Sequence, residues 1–243
     1  MKTFLEQPNE GCRAVCSIGL PGAGKSFTML RALQYWMDHD TFEEYHLVLP
    51  QFEHEQNDSY GFLNDYKGNK VIKVYNSYHN KIAQDLLSNQ YKKKDKNHKV
   101  FLAIDDSTSQ SHNLMQSGDM IKIVTESRHA RIHSWTIMHY GRGIIPPKVR
   151  TNLAFVFMYK LQASAIKEMF DSYIKIPDMK YDDFYEIVKE AVFNQKHGCL
   201  FIDCMNDKLN PYACRFMAAL NEKYNGEDVN EERFTVGQEI ELK

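Results

Sequence analysis

The sequence predicts an α/β fold with a central, mostly parallel sheet flanked by helices, and three observations predict it. Short apolar runs alternate with stretches of helical apolar spacing along most of the 243 residues. Gly19-Leu20-Pro21-Gly22-Ala23-Gly24-Lys25-Ser26 joins the apolar run Ala14–Ile18 to a segment with helical spacing that begins right after Ser26. Farther on, Val100-Phe101-Leu102-Ala103-Ile104 runs straight into two acids, Asp105 and Asp106.

The first glycine-rich segment is a complete G-x-x-x-x-G-K-S phosphate loop. A strand, a tight turn and a helix N-terminus gather backbone N–H groups around one point, where an anionic phosphate is stabilised. Gly19, Pro21, Gly22, Ala23, Gly24, Lys25, Ser26 and Phe27 are therefore the candidate nucleotide-binding residues. Lys25 supplies charge to the β- and γ-phosphates, and the Ser26 hydroxyl is a candidate Mg²⁺ ligand. The second acidic segment reads as a Walker B strand. Asp105 is placed beside the phosphate loop to hold Mg²⁺ or a Mg²⁺-bound water, and Asp106 to polarise the attacking water. These motifs imply ATP or GTP together with Mg²⁺, and the choice of ATP comes from the resemblance given below.

The remaining elements follow in order. Tyr45–Leu49 reads as a strand ending at Pro50, and Lys70–Tyr75 alternates as another. Ser77 is the expected N-cap of a helix through Ile82, Ala83, Leu86 and Leu87. The basic run Lys92–Lys99 reads either as a solvated loop or as a DNA-facing one. A helix is expected over Asp119–Arg131, then strands over Ile132–Met138 and Leu153–Tyr159. Helices over Ala163–Tyr173 and Tyr181–Gln195 precede strands at Cys199–Asp203 and Tyr212–Phe216, joined as a hairpin across Asn206-Asp207-Lys208. With no internal repeat and no second apolar core, residues 1–224 read as one domain and 225–243 as an acidic, extended tail.

Composition narrows the function classes. A hydrophobic content of 43% supports a sizeable core, and a net charge of −2 argues against coating of nucleic acid while leaving room for a local basic surface. The five cysteines are scattered and no secretory segment precedes them, as in a soluble protein of a reducing compartment. No run approaches the length of a membrane span. His197, Cys199, Cys204 and Cys214 offer zinc-ligand chemistry, but Cys199 and Cys204 stand at an odd offset on a strand and point to opposite faces, which favours core thiols.

Together the two acidic and glycine-rich motifs, Ser127-Arg128-His129, the segment Ile145–Asn152, and Tyr181–Tyr185 leading into Leu200–Asp203 resemble the genome-packaging ATPases of the FtsK–HerA superfamily. Among these, the poxvirus-like and virophage-like branch of double-jelly-roll DNA viruses is the most similar. The resemblance covers roughly residues 12–216. It implies a P-loop NTPase domain assembled as a homo-oligomeric ring around double-stranded DNA, delivering it into a capsid of viral proteins. It also implies a location in the cytoplasm or virus factory of an infected cell, or in the virion, with no membrane partner. A polar sensor is implied at the end of the strand after Walker B, often Gln; here the position is His139. The second Walker B acid is often Glu, where this chain has the shorter Asp106. An arginine finger is implied from a neighbouring subunit, with Arg128, Arg131, Arg142 and Arg150 as candidates; Arg150 is preferred, then Arg128. Two other functions remain open from the residues alone. One is a nucleotide kinase, disfavoured because no Arg-rich lid is present. The other is an ATP-bound capsid-vertex docking protein with little turnover, disfavoured by the paired acids.

Overall fold

The computed structural model describes residues 2–50, 61–66, 68–95, 97–105, 111–139, 145–211 and 213. In chain order the strands are β1 (Ala14–Ile18), β2 (Glu44–Val48), β3 (Val71–Tyr75), β4 (Val100–Ile104), β5 (Ile132–Met138), β6 (Phe155–Met158), β7 (Leu200–Asp203) and β8 (Lys208–Asn210). The helices are α1 (Lys2–Glu6), α2 (Lys25–Asp38), α3 (Gly61–Asp65), α4 (Asn80–Lys92), α5 (Ser111–Gln116), α6 (Gly118–Ala130), α7 (Pro147–Arg150), α8 (Ala163–Tyr173) and α9 (Tyr181–Val188). Among the described residues eight strands form one sheet in the order β3-β2-β4-β5-β1-β6-β7-β8. Strands β1 to β6 pair in parallel, while β7 and β8 are antiparallel additions at one end.

A sheet covered on both faces buries its central strands on both sides. Every residue of β1, β4 and β5 is buried. The two-residue period of the strands then sorts side chains between two layers. Val15, Phe101, Ala103, Trp135, Phe155, Phe157 and Phe201 face one layer, with Met29, Leu33 and Trp36 of α2. On the other face, Ala14, Cys16, Ile18, Val156 and Met158 pack with α8 and α9 through Ile166, Met169, Phe184 and Val188. Val100, Leu102 and Ile104 meet α4 and α6 through Ala83, Leu86 and Ile123.

Helix α1 precedes β1 in a stretch where the sequence reading places no element. Phe4 is its anchor. Its ring centroid is 5.8 Å from Trp36, 5.6 Å from Trp135, 5.2 Å from Phe155, 5.3 Å from Phe157 and 5.4 Å from Phe201. The Trp36 indole N–H donates to Leu5 O at 2.7 Å, so the buried polar edge of the cluster is satisfied.

Several expected boundaries move. The helix expected to be capped by Ser77 starts at Asn80 with His79 as N-cap, and Ser77 Oγ instead contacts His79 Nε2 at 2.9 Å. The helix expected over 181–195 is α-helical only through Val188 and widens to a π turn over Lys189–Phe193. The hairpin turns earlier than expected, across 204–207 into β8, and residues 212 and 214–216 of the expected second strand lie outside the described residues. The tail, 225–243, also lies outside them. Cys199 belongs to one core layer and Cys204 packs against the other, in line with the opposite facing read from their spacing. No described helix is long and apolar enough to cross a membrane.

Candidate nucleotide site

The C-terminal ends of parallel strands share one edge of the sheet, and three of them carry the candidate residues. At the end of β1 the chain turns through the phosphate loop into α2. Gly22 and Gly24 take φ of 69° and 96°, values that favour glycine over residues with a Cβ. Gly19 is required for a different reason: a Cβ there would lie 2.5 Å from Tyr159 Cβ, at the end of β6. The loop is tied to both neighbouring strands, Gly19 N–H donating to Met138 O at 3.3 Å and Leu20 N–H to Lys160 O at 3.0 Å. The helical ladder of α2 starts with Thr28 N–H to Gly24 O at 3.1 Å, so the N–H groups of Lys25, Ser26 and Phe27 lie ahead of it at the positive end of the helix dipole.

Lys25 is buried, and its ammonium donates to Gly19 O at 2.9 Å and Leu20 O at 2.7 Å. The Ser26 hydroxyl donates to Asp105 Oδ1 at 2.9 Å. Asp105, which follows β4, is only 4% exposed and is fixed by its N–H donating to Val48 O at 2.9 Å. Strand β4 is not the neighbour of β1, because β5 lies between them. Asp105 therefore reaches the loop across the end of β5 rather than from an adjacent strand.

His139, at the end of β5, has Nδ1 3.4 Å from Lys25 Nζ and 3.3 Å from Gly19 O. Nδ1 accepts from the ammonium in the Nε2–H tautomer and donates to Gly19 O in the Nδ1–H tautomer. The structure thus brings Lys25, Ser26, Asp105 and His139 together. Ser26 and Asp105 form an oxygen-donor pair of the kind Mg²⁺ selects, so the residues present fit that ion. Asp106 lies outside the described residues. Phe27 turns its side chain to the surface, 41% exposed, with the Arg31 guanidinium 5.3 Å from its ring centroid. Pro21 and Gly22 are exposed at the loop tip, and Ala23 is half-buried.

The arginines stand elsewhere. Arg128 ends α6 ahead of β5, where its Cγ is 4.0 Å from the position of a Cβ on Gly11, just before β1. Arg150 ends α7 ahead of β6 and donates to Ser172 Oγ at 3.0 Å, with Glu168 Oε1 at 3.9 Å. Both mark the sheet edge opposite the phosphate loop, separated from it by roughly 15–20 Å of strand. Neither reaches its own chain's site. Arg131 caps α6 at φ 55° and donates to Gln90 O at 2.7 Å and His98 O at 3.3 Å, a structural role. Arg142 lies outside the described residues.

The basic run also leads into the opposite edge. Lys93 binds Glu44 at 2.5 Å and Lys99 donates to Pro8 O at 3.2 Å, so these two lysines are engaged internally. Burial disfavours the charge on Glu44, yet hydrogen bonds from Lys93, His46 and His98 hold its carboxyl down at about 2. Lys92 and Lys94 are exposed, and Lys96 lies outside the described residues.

Two residues at the site have no signal in the sequence. Tyr159 closes the loop floor beside Gly19, and its hydroxyl donates to Thr28 Oγ1 at 2.5 Å. His197 sits over Gly24 from the turn before β7. Both depend on β6 and β7 lying on the far side of β1, a strand order that apolar patterning does not encode.

No protein-family model and no curated protein sequence matches this chain. Solved structures do match in fold. The genome packaging NTPase B204 from Sulfolobus turreted icosahedral virus 2, in complex with ATP-gammaS, aligns with a TM-score of 0.58 and 14% identity, covering 82% of this chain and 95% of that one. B204, the DNA-packaging ATPase from Sulfolobus turreted icosahedral virus, gives 0.55 and 16% identity, covering 82% and 95%. EssC (ATPases 2 and 3) from Geobacillus thermodenitrificans gives 0.52 and 13% identity, covering 90% of this chain and 45% of that one. The fold expected from the sequence, a P-loop NTPase with a mostly parallel sheet between helical layers, is the fold present.

Proposed function

We propose that this protein is an ATP-driven motor that translocates double-stranded viral DNA into a preformed capsid. The observation that carries the reading is the cluster at one sheet edge, where Ser26 Oγ meets Asp105 at 2.9 Å beside Lys25 and His139. The genome-packaging B204 NTPases share the fold around that cluster.

In this reading the triphosphate enters the loop and takes over the Lys25 ammonium from the carbonyls of Gly19 and Leu20. Ser26 and Asp105 would hold Mg²⁺, which neutralises phosphate charge when bound. Asp106 accepts a proton from the water that attacks the γ-phosphorus, and the bond to the β–γ bridging oxygen breaks to release ADP and phosphate. His139 contacts the water or the γ-phosphate and relays the state of the site through Lys25. Subunits form a ring, with Arg150 acting on a neighbour's nucleotide, and capsid proteins receive the motor in the infected cell or virion. Its place at the edge opposite its own P-loop supports a role only across an interface.

Phosphate release from Mg-ATP, measured with and without duplex DNA and with a nucleoside acceptor, tests the proposal. The expected result is hydrolysis that duplex DNA accelerates. Phosphoryl transfer to the nucleoside would make the protein a kinase. Tight ATP binding without turnover under any condition would make it a docking protein.

A further inference from the structure

The P-loop reading leaves the other end of the nucleotide unassigned, and the fold limits where that end lies. Asp105 and His139 stand on the β4 and β5 side of β1, which fixes the γ-phosphate end there. The triphosphate then runs across the loop, so ribose and base leave toward β6 and β7, on the far side of β1. The turn between the π turn and β7 occupies that side. A methyl group at Gly24 would lie 3.2 Å from His197 Cβ, 3.6 Å from Cγ and 3.7 Å from Nδ1. His197 is otherwise exposed, so one side of its ring rests against the loop while the rest is open to a ligand.

This placement is held by the chain around it. His197 adopts φ 53°, an unfavourable region for a residue with a Cβ. Gly198 fits only because it lacks a side chain, since a Cβ there would lie 2.4 Å from Ala191 O and 2.8 Å from Val192 O of the π turn. Gly198 N–H donates to Gln195 O at 3.2 Å, Gln195 Nε2 to Glu190 O at 3.1 Å, and Asn194 N–H to Lys189 O at 2.9 Å. A π turn, a left-handed histidine and a glycine with no room for a methyl group thus combine to put one aromatic ring over the phosphate loop. Strain maintained in this way concentrates at ligand clamps.

We infer that His197 is the base-side wall of the nucleotide site, its ring stacking on the base or ribose of the bound nucleoside triphosphate. The inference rests on the P-loop reading above. Stacking on an aromatic face tolerates any base, so it adds affinity for the nucleoside rather than for the phosphates.

The test uses the full chain and two probes, a non-hydrolysable ATP analogue and inorganic tripolyphosphate, each titrated with Mg²⁺ by calorimetry. His197→Asn keeps a residue that tolerates positive φ but removes the ring; His197→Tyr restores an aromatic face. His197→Asn should weaken the ATP analogue about tenfold and leave tripolyphosphate binding unchanged. His197→Tyr should recover most of the affinity. Unchanged ATP-analogue affinity in His197→Asn, equal losses for both probes, or no recovery in His197→Tyr would each overturn the inference. A parent protein that binds neither probe would overturn the P-loop reading, and this one with it.

Discussion

Removing the Lys25 ammonium takes away the charge that braces Gly19 O and Leu20 O and that a triphosphate would recruit. Lys25→Ala should therefore lower ATP affinity by at least about tenfold, the value of one or two charge-assisted hydrogen bonds. Asp106→Asn should bind ATP like the parent and lose about 10²-fold or more in phosphate release, because binding needs the loop whereas turnover needs an acceptor for the water's proton. Equal turnover by Asp106→Asn and the parent would remove Asp106 from the mechanism. A second residue-scale prediction concerns stability. His133 is fully buried between Trp36 and Phe42, 5.0 and 5.6 Å between ring centroids, and its Nδ1 accepts Arg13 N–H at 3.3 Å. Burial, aided by the charges of Arg13 and Lys99, pushes its pKa from 6.5 down to about 3. Between those values the unfolded chain binds a proton that the folded chain refuses, so stability rises with pH and is lost as pH falls below 6.5. The slope approaches about 1.4 kcal/mol per pH unit, or about 2 kcal/mol between pH 6.5 and 5. Urea unfolding of His133→Phe should show a visibly smaller loss between pH 7 and 5, with a remainder from His46, whose pKa burial also lowers. Identical pH dependence in both proteins would contradict the assignment.

At the scale of elements, α1 contributes far more than its five residues suggest. Phe4 is the ring on which five other aromatic side chains converge, and Leu5 O satisfies the Trp36 indole. Phe4→Ala should cost about 3–5 kcal/mol in denaturant unfolding, the range for a buried aromatic truncated to Ala. A cost below about 1 kcal/mol would mean that the cluster closes without it. Nothing in the sequence distinguishes this helix, because five residues hold little more than one turn and no apolar period can be read from them. By contrast β5 and α8 occupy the residues expected, since Ile132–Met138 is rich in β-branched and aromatic residues and Ala163–Tyr173 repeats its apolar residues at helical spacing. The phosphate loop was legible for a similar reason: its chemistry is local, and eight consecutive residues carry it. What the sequence leaves out is adjacency. The contact of Ser26 with Asp105 across the end of β5, the tight fit of Gly19 on Tyr159 and the seat of His197 over Gly24 all follow from strand order. Short apolar strands that are buried on both faces carry no mark of their neighbours.

Across the whole molecule, the sheet separates two chemistries. Its C-terminal edge gathers Lys25, Ser26, Asp105 and His139, and its opposite edge carries Arg128, Arg150 and the exposed Lys92 and Lys94. The Arg150 contacts with Ser172 and Glu168 are partly solvated, and such pairs stabilise by about 1 kcal/mol at most, so the guanidinium can be released without unfolding anything. In a ring where Arg150 completes the neighbouring site, Arg150→Ala should keep its melting temperature and ATP affinity while hydrolysis falls by about 10³-fold or more. Mixed with Lys25→Ala, it should recover activity, because some interfaces then pair an intact loop with an intact arginine. Strictly additive residual activity would end the case for Arg150 and make Arg128 the next residue to test. In the proposed motor, hydrolysis at the loop moves duplex DNA past the protein. The most direct measurement is displacement of a third strand from a DNA duplex, followed as Mg-ATP is added to the parent and to Lys25→Ala. A translocating motor gives ATP-dependent displacement by the parent and none by Lys25→Ala. ATP hydrolysis by the parent with no displacement of the third strand would contradict it.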